Sequence, residues 1–441
     1  MDYASALPSR FIERCKRRLV RADDPDAPPR SAVTAEQPSR TEVAIAAATH
    51  SPKFVLVCAF VVVLNVIGLV MVLSASSVLA QANYGSSWYF FERQFAWTVL
   101  AAVAFIIAAR RGYRFWVRVA RVLLALCVLL LIAVLIPTVG TLVDGSRRWL
   151  ELGPIRLQPA EVAKLGLLLA SADLLARKRE RLGDWKSWRP VVVWMAALSA
   201  LVMMEPDLGS TLMVVLIGMG LLLVAGIPRR AFAALIGLVV SATTMLILFE
   251  PYRRARLLTF LHPAADPKNA GYQLTQSLIA LGSGGVSGAG LGAGRSKWLF
   301  LPNPHTDFIF AVIGEELGLM GTLLVIGLFA AFALLGFRIA RQAPNQLATL
   351  LATGITVWIT GQAAVNIGAV AGVLPVTGIP LPFISFGGSA LVVTMFAAGI
   401  LANIADQPTS PARTPPSRTG NAEVGATPPV APGSGTVRNF V

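Results

Sequence analysis

"PNPHTDFIFAVIGEELG" (residues 302–318) opens an apolar run that continues to about 337. Such a run exceeds the roughly 20 residues a helix needs to cross a hydrocarbon core. It begins behind two prolines, with His305 and Asp307 at its head and Glu315 and Glu316 further along. An ionised side chain inside a span costs about 2.5–3.5 kcal/mol on insertion scales, so each of these acids needs a partner or a cavity. Reading the run as a membrane helix therefore fixes both the fold class and the first functional question.

The rest of the chain supports that reading. Hydrophobic residues make up 55% of the 441, only 14% are charged, and the mean hydropathy is +0.66. Ten apolar runs are read as spans, at about 54–80, 94–109, 117–139, 160–176, 190–204, 208–226, 231–249, 306–337, 346–372 and 388–404. The short alternating strands of an outer-membrane barrel are absent from the pattern. The expected fold class is all-α: a polytopic inner-membrane protein with about ten transmembrane helices and a large extracytoplasmic loop, about 250–305, between the seventh and eighth. No internal sequence repeat relates the two halves, which weakens an inverted-repeat transporter reading.

The net charge of +15 sits mainly in short loops. "RRGYRFWVR" (110–118), "RKRERLGDWKSWR" (177–189), "PRR" (228–230) and "FRIARQ" (337–342) all follow even-numbered spans. The positive-inside rule makes those loops, and both termini, cytoplasmic. No basic groove with interleaved aromatics appears, so no nucleic acid is expected as a partner. The three cysteines and three histidines are scattered, without disulfide or metal spacing. The N-terminal arm, 1–52, lacks an apolar signal core. A membrane domain is expected over 53–405, and the tail 406–441, rich in Pro, Thr, Ser and Gly, is expected to be a disordered cytoplasmic segment.

Four segments then face outward: 81–93, 140–159, the long loop 250–305, and "LPVTGIPLPFISFGGS" (374–389). Loops this long are uncommon without a function. Asp307, at a helix start, suits either a capping carboxylate or a general base, and His305 beside it favours the second. Glu315 lies about 12 Å deeper and within a quarter-turn of the same face, while Glu316 points away and suits helix packing. Glu161 and Lys164 stand one turn apart near the outer end of the fourth span. They suit an internal ion pair, a substrate contact, or both. Arg147 and Arg148, followed by Trp149, suit either an anion or an interfacial anchor. "LGSGGVSGAGLGAGRSKW" (281–298) lacks the Walker pattern and reads as a bent, mobile loop, with Arg295 and Lys297 available to an anion. "EPDLGS" (205–210) reads as a tight turn before a helix start.

Taken together, "GSRRWLELGPIRLQPAEVAKL", "EPDLGST", "GYQLTQSLIALGSGG", "HTDFIFAVIGEELG" and "LPVTGIPLPFISFGGS" resemble the SEDS (shape, elongation, division and sporulation) family, collinearly from about residue 54 to 405. The extended arms and the wording of the HTDF motif are closer to its division branch than to its elongation branch. The resemblance implies a glycosyltransferase that polymerises lipid II, an undecaprenyl-pyrophosphate-linked substrate, into glycan strands at the outer face of the cytoplasmic membrane. It implies a class B penicillin-binding protein transpeptidase and other division proteins as partners, at the septum. The family's essential aspartate falls on Asp307, its outer-loop tryptophan on Trp149 and its fourth-helix lysine on Lys164. One departure is visible: Asn303 and Pro304 stand where many members carry Glu-Ala before HTD. Arg147, Arg148 and Lys164 are then expected to meet the leaving pyrophosphate, with Glu161, His305, Arg295 and Lys297 lining the same site. A divalent cation shielding the pyrophosphate is compatible with this chemistry, although no closed ligand set marks one. A lipid II flippase and a non-catalytic division scaffold are the alternative classes.

Overall fold

The computed structural model describes residues 50–143, 145–153, 155–250, 254, 258–260, 270–298 and 300–408. The N-terminal arm to residue 49 and the tail from 409 lie outside the described residues, as does most of 251–269.

The helices are α1 (Pro52–Tyr84), α2 (Tyr89–Arg110), α3 (Tyr113–Leu135), α4 (Pro159–Arg177), α5 (Trp185–Met204), α6 (Leu208–Ala225), α7 (Arg229–Phe249), α8 (Ala270–Ser283), α9 (Ile309–Arg341), α10 (Gln346–Val370) and α11 (Gly388–Ala405). Nine of them, among the described residues, are long and apolar enough to cross a membrane: all but α4 and α8. The chain is thus an all-α, multi-pass membrane protein. Helix α4 falls on the fourth expected span, but Glu161, Lys164, Asp173 and Arg177 lower its hydropathy. It is nearly enclosed, packed among α3, α5, α6 and α10, so Glu161, Lys164 and Asp173 meet protein and not lipid, while Arg177 at its end is exposed.

Local chemistry sets the helix ends. Ser51 caps α1 by accepting from the Phe54 N–H, with Pro52 in the first turn, where its missing N–H costs nothing. Asp207 and Asn345 cap α6 and α10, and Gly85 and Gly226 end α1 and α6 in left-handed conformation. The two ends of the bundle meet: the Ser51 N–H donates to Asp406 Oδ1 at 2.8 Å and its hydroxyl to the Ala405 carbonyl at 2.6 Å. Helix α7 is the exception to close packing. Only Leu235 on it is buried, and Ile236, Leu238, Val240, Met245 and Leu248 are exposed.

Three features depart from the sequence reading. Three short strands, β1 (Gly140–Val143), β2 (Ser146–Leu152) and β3 (Ile155–Leu157), form an antiparallel sheet in the order β1-β2-β3. A cross-strand ion pair, Arg156 to Glu151 at 2.8 Å, sits on the β2–β3 register. The expected loop 250–305 contains α8. The long helix α9 starts at Ile309, after a turn, and is broken at Gly318 (φ 67°, ψ −162°).

That break explains the Gly-rich stretch, which is held in place where a mobile loop was expected. The Ala289 and Gly290 N–H groups donate to the Glu315 and Glu316 carbonyls at 2.9 and 3.0 Å. The Leu319 and Met320 N–H groups donate to the Gly285 and Val286 carbonyls at 2.9 and 3.3 Å. Residues 285–290 therefore satisfy the backbone groups that a broken helix leaves open, as a membrane interior demands. The fit is close. A Cβ on Gly288 (φ 80°) would lie 2.2 Å from the Glu316 carbonyl oxygen, and one on Gly318 would lie 2.4 Å from the Gly288 nitrogen.

Gly288→Ala is expected to cost about 3 kcal/mol or more through this backbone clash. Gly285→Ala, also at positive φ but with open space around its Cβ position, should cost only about 1–2 kcal/mol. Thermal unfolding of the two purified variants in one detergent gives the comparison; equal losses would refute the interlocked break.

Candidate active site

Asp307 lies in the non-helical turn that precedes α9, partly exposed, between Pro304 and Phe308, which are buried. Its position follows from what holds the turn. The Phe386 N–H donates to the His305 carbonyl at 2.9 Å, and the Ser385 hydroxyl to the Thr306 carbonyl at 2.7 Å. Asn366 of α10 donates to the Asp307 carbonyl at 2.8 Å. Segment 374–387 thus lies along the turn, and a Cβ built on Gly378 would stand 3.6 Å from Asp307 Oδ2.

His305 is buried against Phe90 and Phe386, with ring centroids 4.5 and 5.6 Å away, and its Nδ1 has no hydrogen-bond partner. Burial lowers its pKa to about 4, so it is a neutral imidazole at pH 7. It braces the turn that carries Asp307 by ring packing.

The same segment leads to the other outward groups. A Cβ on Gly209 of α6 would meet the Thr377 carbonyl at 2.9 Å, so the start of α6 touches segment 374–387 directly. Gln158 ties the sheet to both: its N–H donates to Ser389 Oγ at 3.2 Å and its side chain to Asp207 Oδ2 at 3.2 Å. Arg148 donates from Nε to the Glu205 carbonyl at 3.0 Å and from Nη2 to the Pro206 carbonyl at 2.6 Å. Its guanidinium is thereby fixed by two backbone carbonyls. Arg147 and Trp149 flank it on β2, half-buried, and Arg147 Nε is buried without a partner.

Lys164 and Glu161 are paired as their spacing suggested, at 2.8 Å, with Lys164 fully buried and Glu161 2% exposed. Lys164 also donates to Gln362 Oε1 at 2.9 Å and lies 5.2 Å from the centre of the Trp358 ring. Its ammonium is turned into the bundle, towards α10. The second acid pair holds the Gly-rich loop. Glu315 accepts from the Arg295 N–H at 2.6 Å, the Ser296 N–H at 3.1 Å and the Ser296 hydroxyl. Glu316 accepts from Ser74 of α1 at 2.7 Å and faces Lys297 at 3.6 Å. Lys297 donates as well to the Gly292 carbonyl and is buried, whereas the Arg295 side chain is exposed. Of the cations expected to be available to an anion, the structure leaves Arg295 exposed and Arg147 and Arg148 half-buried, and it encloses Lys164 and Lys297.

Three participants went unnoticed in the sequence. Gln362 and Asn366 stand four apart in a span whose other interior polar residues are threonines, a spacing that marks a polar stripe. Glu205, in the "EPDLGS" turn, is 1% exposed with neither carboxyl oxygen hydrogen-bonded. Burial, then repulsion from Asp207, raise its pKa to about 9 against an opposing pull from Arg148, so it holds a proton at pH 7. The unfolded chain releases that proton near pH 4.5, so between about 4.5 and 9 the unfolded state binds fewer protons and stability falls as pH rises. The slope is about 1.4 kcal/mol per pH unit. Glu205→Gln should remove it, making the variant's advantage in melting temperature grow from pH 5 to pH 8; parallel curves would show an ionised Glu205.

Comparison with known proteins agrees with this architecture. The family model of the FtsW, RodA and SpoVE cell cycle proteins matches residues 54–410. A probable peptidoglycan glycosyltransferase FtsW of Geobacter metallireducens is 41% identical over 344 residues, covering 78% of this chain and 92% of that protein. Stage V sporulation protein E of Bacillus subtilis is 38% identical over 357 residues, covering 80% and 97%. Among solved structures, a peptidoglycan synthase complex that coordinates polymerization and crosslinking aligns with a TM-score of 0.67 at 28% identity, covering 79% of this chain and 96% of that one. Rod shape determining protein RodA of Thermus thermophilus aligns with a TM-score of 0.58 at 26% identity, covering 79% and 95%. The chain belongs to the FtsW/RodA/SpoVE family of cell cycle proteins.

Proposed function

We propose that this protein is a peptidoglycan glycosyltransferase that polymerises lipid II at the outer face of the cytoplasmic membrane during cell division, with Asp307 as the general base. The observation that carries the assignment of the base is the state of Asp307. It is a partly exposed carboxylate beside Gly378, in a turn whose backbone is fixed at three successive carbonyls, those of residues 305, 306 and 307. A partly exposed acid on a fixed backbone suits deprotonation of a sugar hydroxyl.

In the reaction, the Asp307 carboxylate takes the proton of the acceptor sugar hydroxyl as its oxygen attacks the anomeric carbon of the donor. The glycosidic bond forms with inversion as the bond to undecaprenyl pyrophosphate breaks. Negative charge grows on the departing pyrophosphate, and Arg148, Arg147 and Arg295 are the cations whose exposure allows them to meet it. Lys164 and Lys297, being enclosed, serve the site by positioning. The class B penicillin-binding protein expected as partner crosslinks the product, a division of labour that the related synthase complex supports.

Asp307→Asn should lower polymerisation of lipid II in proteoliposomes by about 10²–10⁴-fold while leaving folding unchanged. Wild-type polymer yield from the variant would overturn the assignment, and lipid II translocation without polymer would support a flippase. For the orientation, single cysteines at 295 and 179 in a background lacking Cys15, Cys58 and Cys127 provide the check. Arg295→Cys should react with an impermeant reagent on intact cells, and Arg179→Cys only after permeabilisation. The opposite pattern would invert the topology.

A further inference from the structure

We propose that Asn366 and Gln362 of α10 are positioning residues for Asp307, and that the buried Lys164 acts on the site only through them. The inference rests on the reading of Asp307 as the base.

Trp358, Gln362 and Asn366 follow one another at intervals of four, so they stack along one side of α10. All three are almost wholly buried, at 0%, 1% and 2% exposure. Gln362 is a two-way connector. Its Oε1 accepts from Lys164 Nζ at 2.9 Å and from Trp358 Nε1 at 3.0 Å, and its Nε2 donates to the Pro380 carbonyl at 2.9 Å. One turn on, Asn366 Nδ2 donates to the Ile379 carbonyl at 2.7 Å and to the Asp307 carbonyl at 2.8 Å. A primary amide has two N–H groups, so a single nitrogen serves both acceptors and joins the two segments. The pair of side chains thereby fixes residues 379–380 and residue 307 to the same helix.

The Asp307 carbonyl is available for this because α9 begins in a tight turn. The N–H groups of Ala311 and Val312 both point to the Phe308 carbonyl, at 2.9 and 3.4 Å, which leaves Asp307 one residue outside the helical ladder. A part-buried carbonyl in that position has no donor from the helix, and Asn366 provides one. The cation fixes the amide orientation. With Lys164 donating to Oε1, Gln362 must present Nε2 to Pro380; a flipped amide would set its NH2 against the ammonium. Lys164 itself contacts Glu161, Gln362 and the face of Trp358, all within the bundle.

The consequence for catalysis is specific. Loss of the Asn366 donor frees the Asp307 backbone to move relative to Gly378 and leaves binding groups on the sheet and the 292–297 loop untouched. A displacement of about 1 Å at a reacting group costs on the order of 10²-fold in rate. The test uses the full chain in proteoliposomes with lipid II. Asn366→Leu is expected to lower kcat about 30–100-fold with KM within about twofold of wild type. Gln362→Met, which breaks the link to Lys164 and frees Pro380, should lower kcat about tenfold with the same unchanged KM. Activity is normalised to folded protein by size-exclusion profile and melting temperature, so a general loss of structure registers as lost protein and not as lower kcat. Should Asn366→Leu fail to fold, Gln362→Met decides alone. Asp307→Asn is measured alongside. If it is inactive and both α10 variants keep wild-type kcat, or lose only KM, the positioning proposal falls and the base assignment stands. If Asp307→Asn is itself active, the base assignment falls.

Discussion

A helix crossing lipid has no water to complete its hydrogen bonds, and α9 breaks inside the protein all the same. The left-handed Gly318 opens the ladder, and residues 285–290 close it again with two donors and two acceptors of their own. This backbone exchange brings the 292–297 loop over Glu315 and Glu316, where their carboxylates find N–H, hydroxyl and ammonium partners. The acids that made the span look costly in the sequence are the fasteners of that loop. Glu316 extends the connection to Ser74, so α1, α9 and the loop before α9 form one unit. The turn bearing Asp307 lies immediately between that loop and α9, and inherits its placement from both.

How much of this was legible depended on whether the signal was local. Ten spans are visible as apolar runs because hydropathy is summed over adjacent residues, and the fourth appears despite its charges because the residues between Lys164 and Asp173 are almost all apolar. The packing role of Glu316 followed from its angle alone. The sheet at 140–157 escaped because its strands are four, seven and three residues long, too short for alternation to stand out. Helix α8 was hidden in a loop read by its prolines and glycines. The break at Gly318 looked like one more glycine in a run that contains several; what distinguishes it is Gly288, thirty residues away. Helix edges moved for simple reasons too, as α3 stops at Leu135 where Gly140 begins a strand.

The site divides in the same manner. Asp307 and Arg148 stand out as candidates by residue type, and the Glu161–Lys164 pair was legible from its spacing. Whether a cation faces solvent or protein was not, because Lys164 is turned inward by Gln362, 198 positions along the chain. Glu205 shows the limit most clearly. Read as part of a turn it is unremarkable, yet burial, which its neighbours in sequence do not announce, combines with repulsion from Asp207 two residues on to make it a neutral acid. Both Glu205 and His305 are neutral at pH 7, each through burial.

The hydrogen bonds of Ser51 to Ala405 and Asp406 bring the two ends of the bundle within a single bond of each other. In connectivity the membrane domain is thus nearly a closed ring, and the place where it is cut is a choice. A circularly permuted chain that joins 406 to 51 through a short linker and opens at an exposed turn, such as the one between α6 and α7, would keep every contact described above. The two arms also leave from one point, so a partner able to grip both gains a bivalent hold in which the second contact forms at high effective concentration.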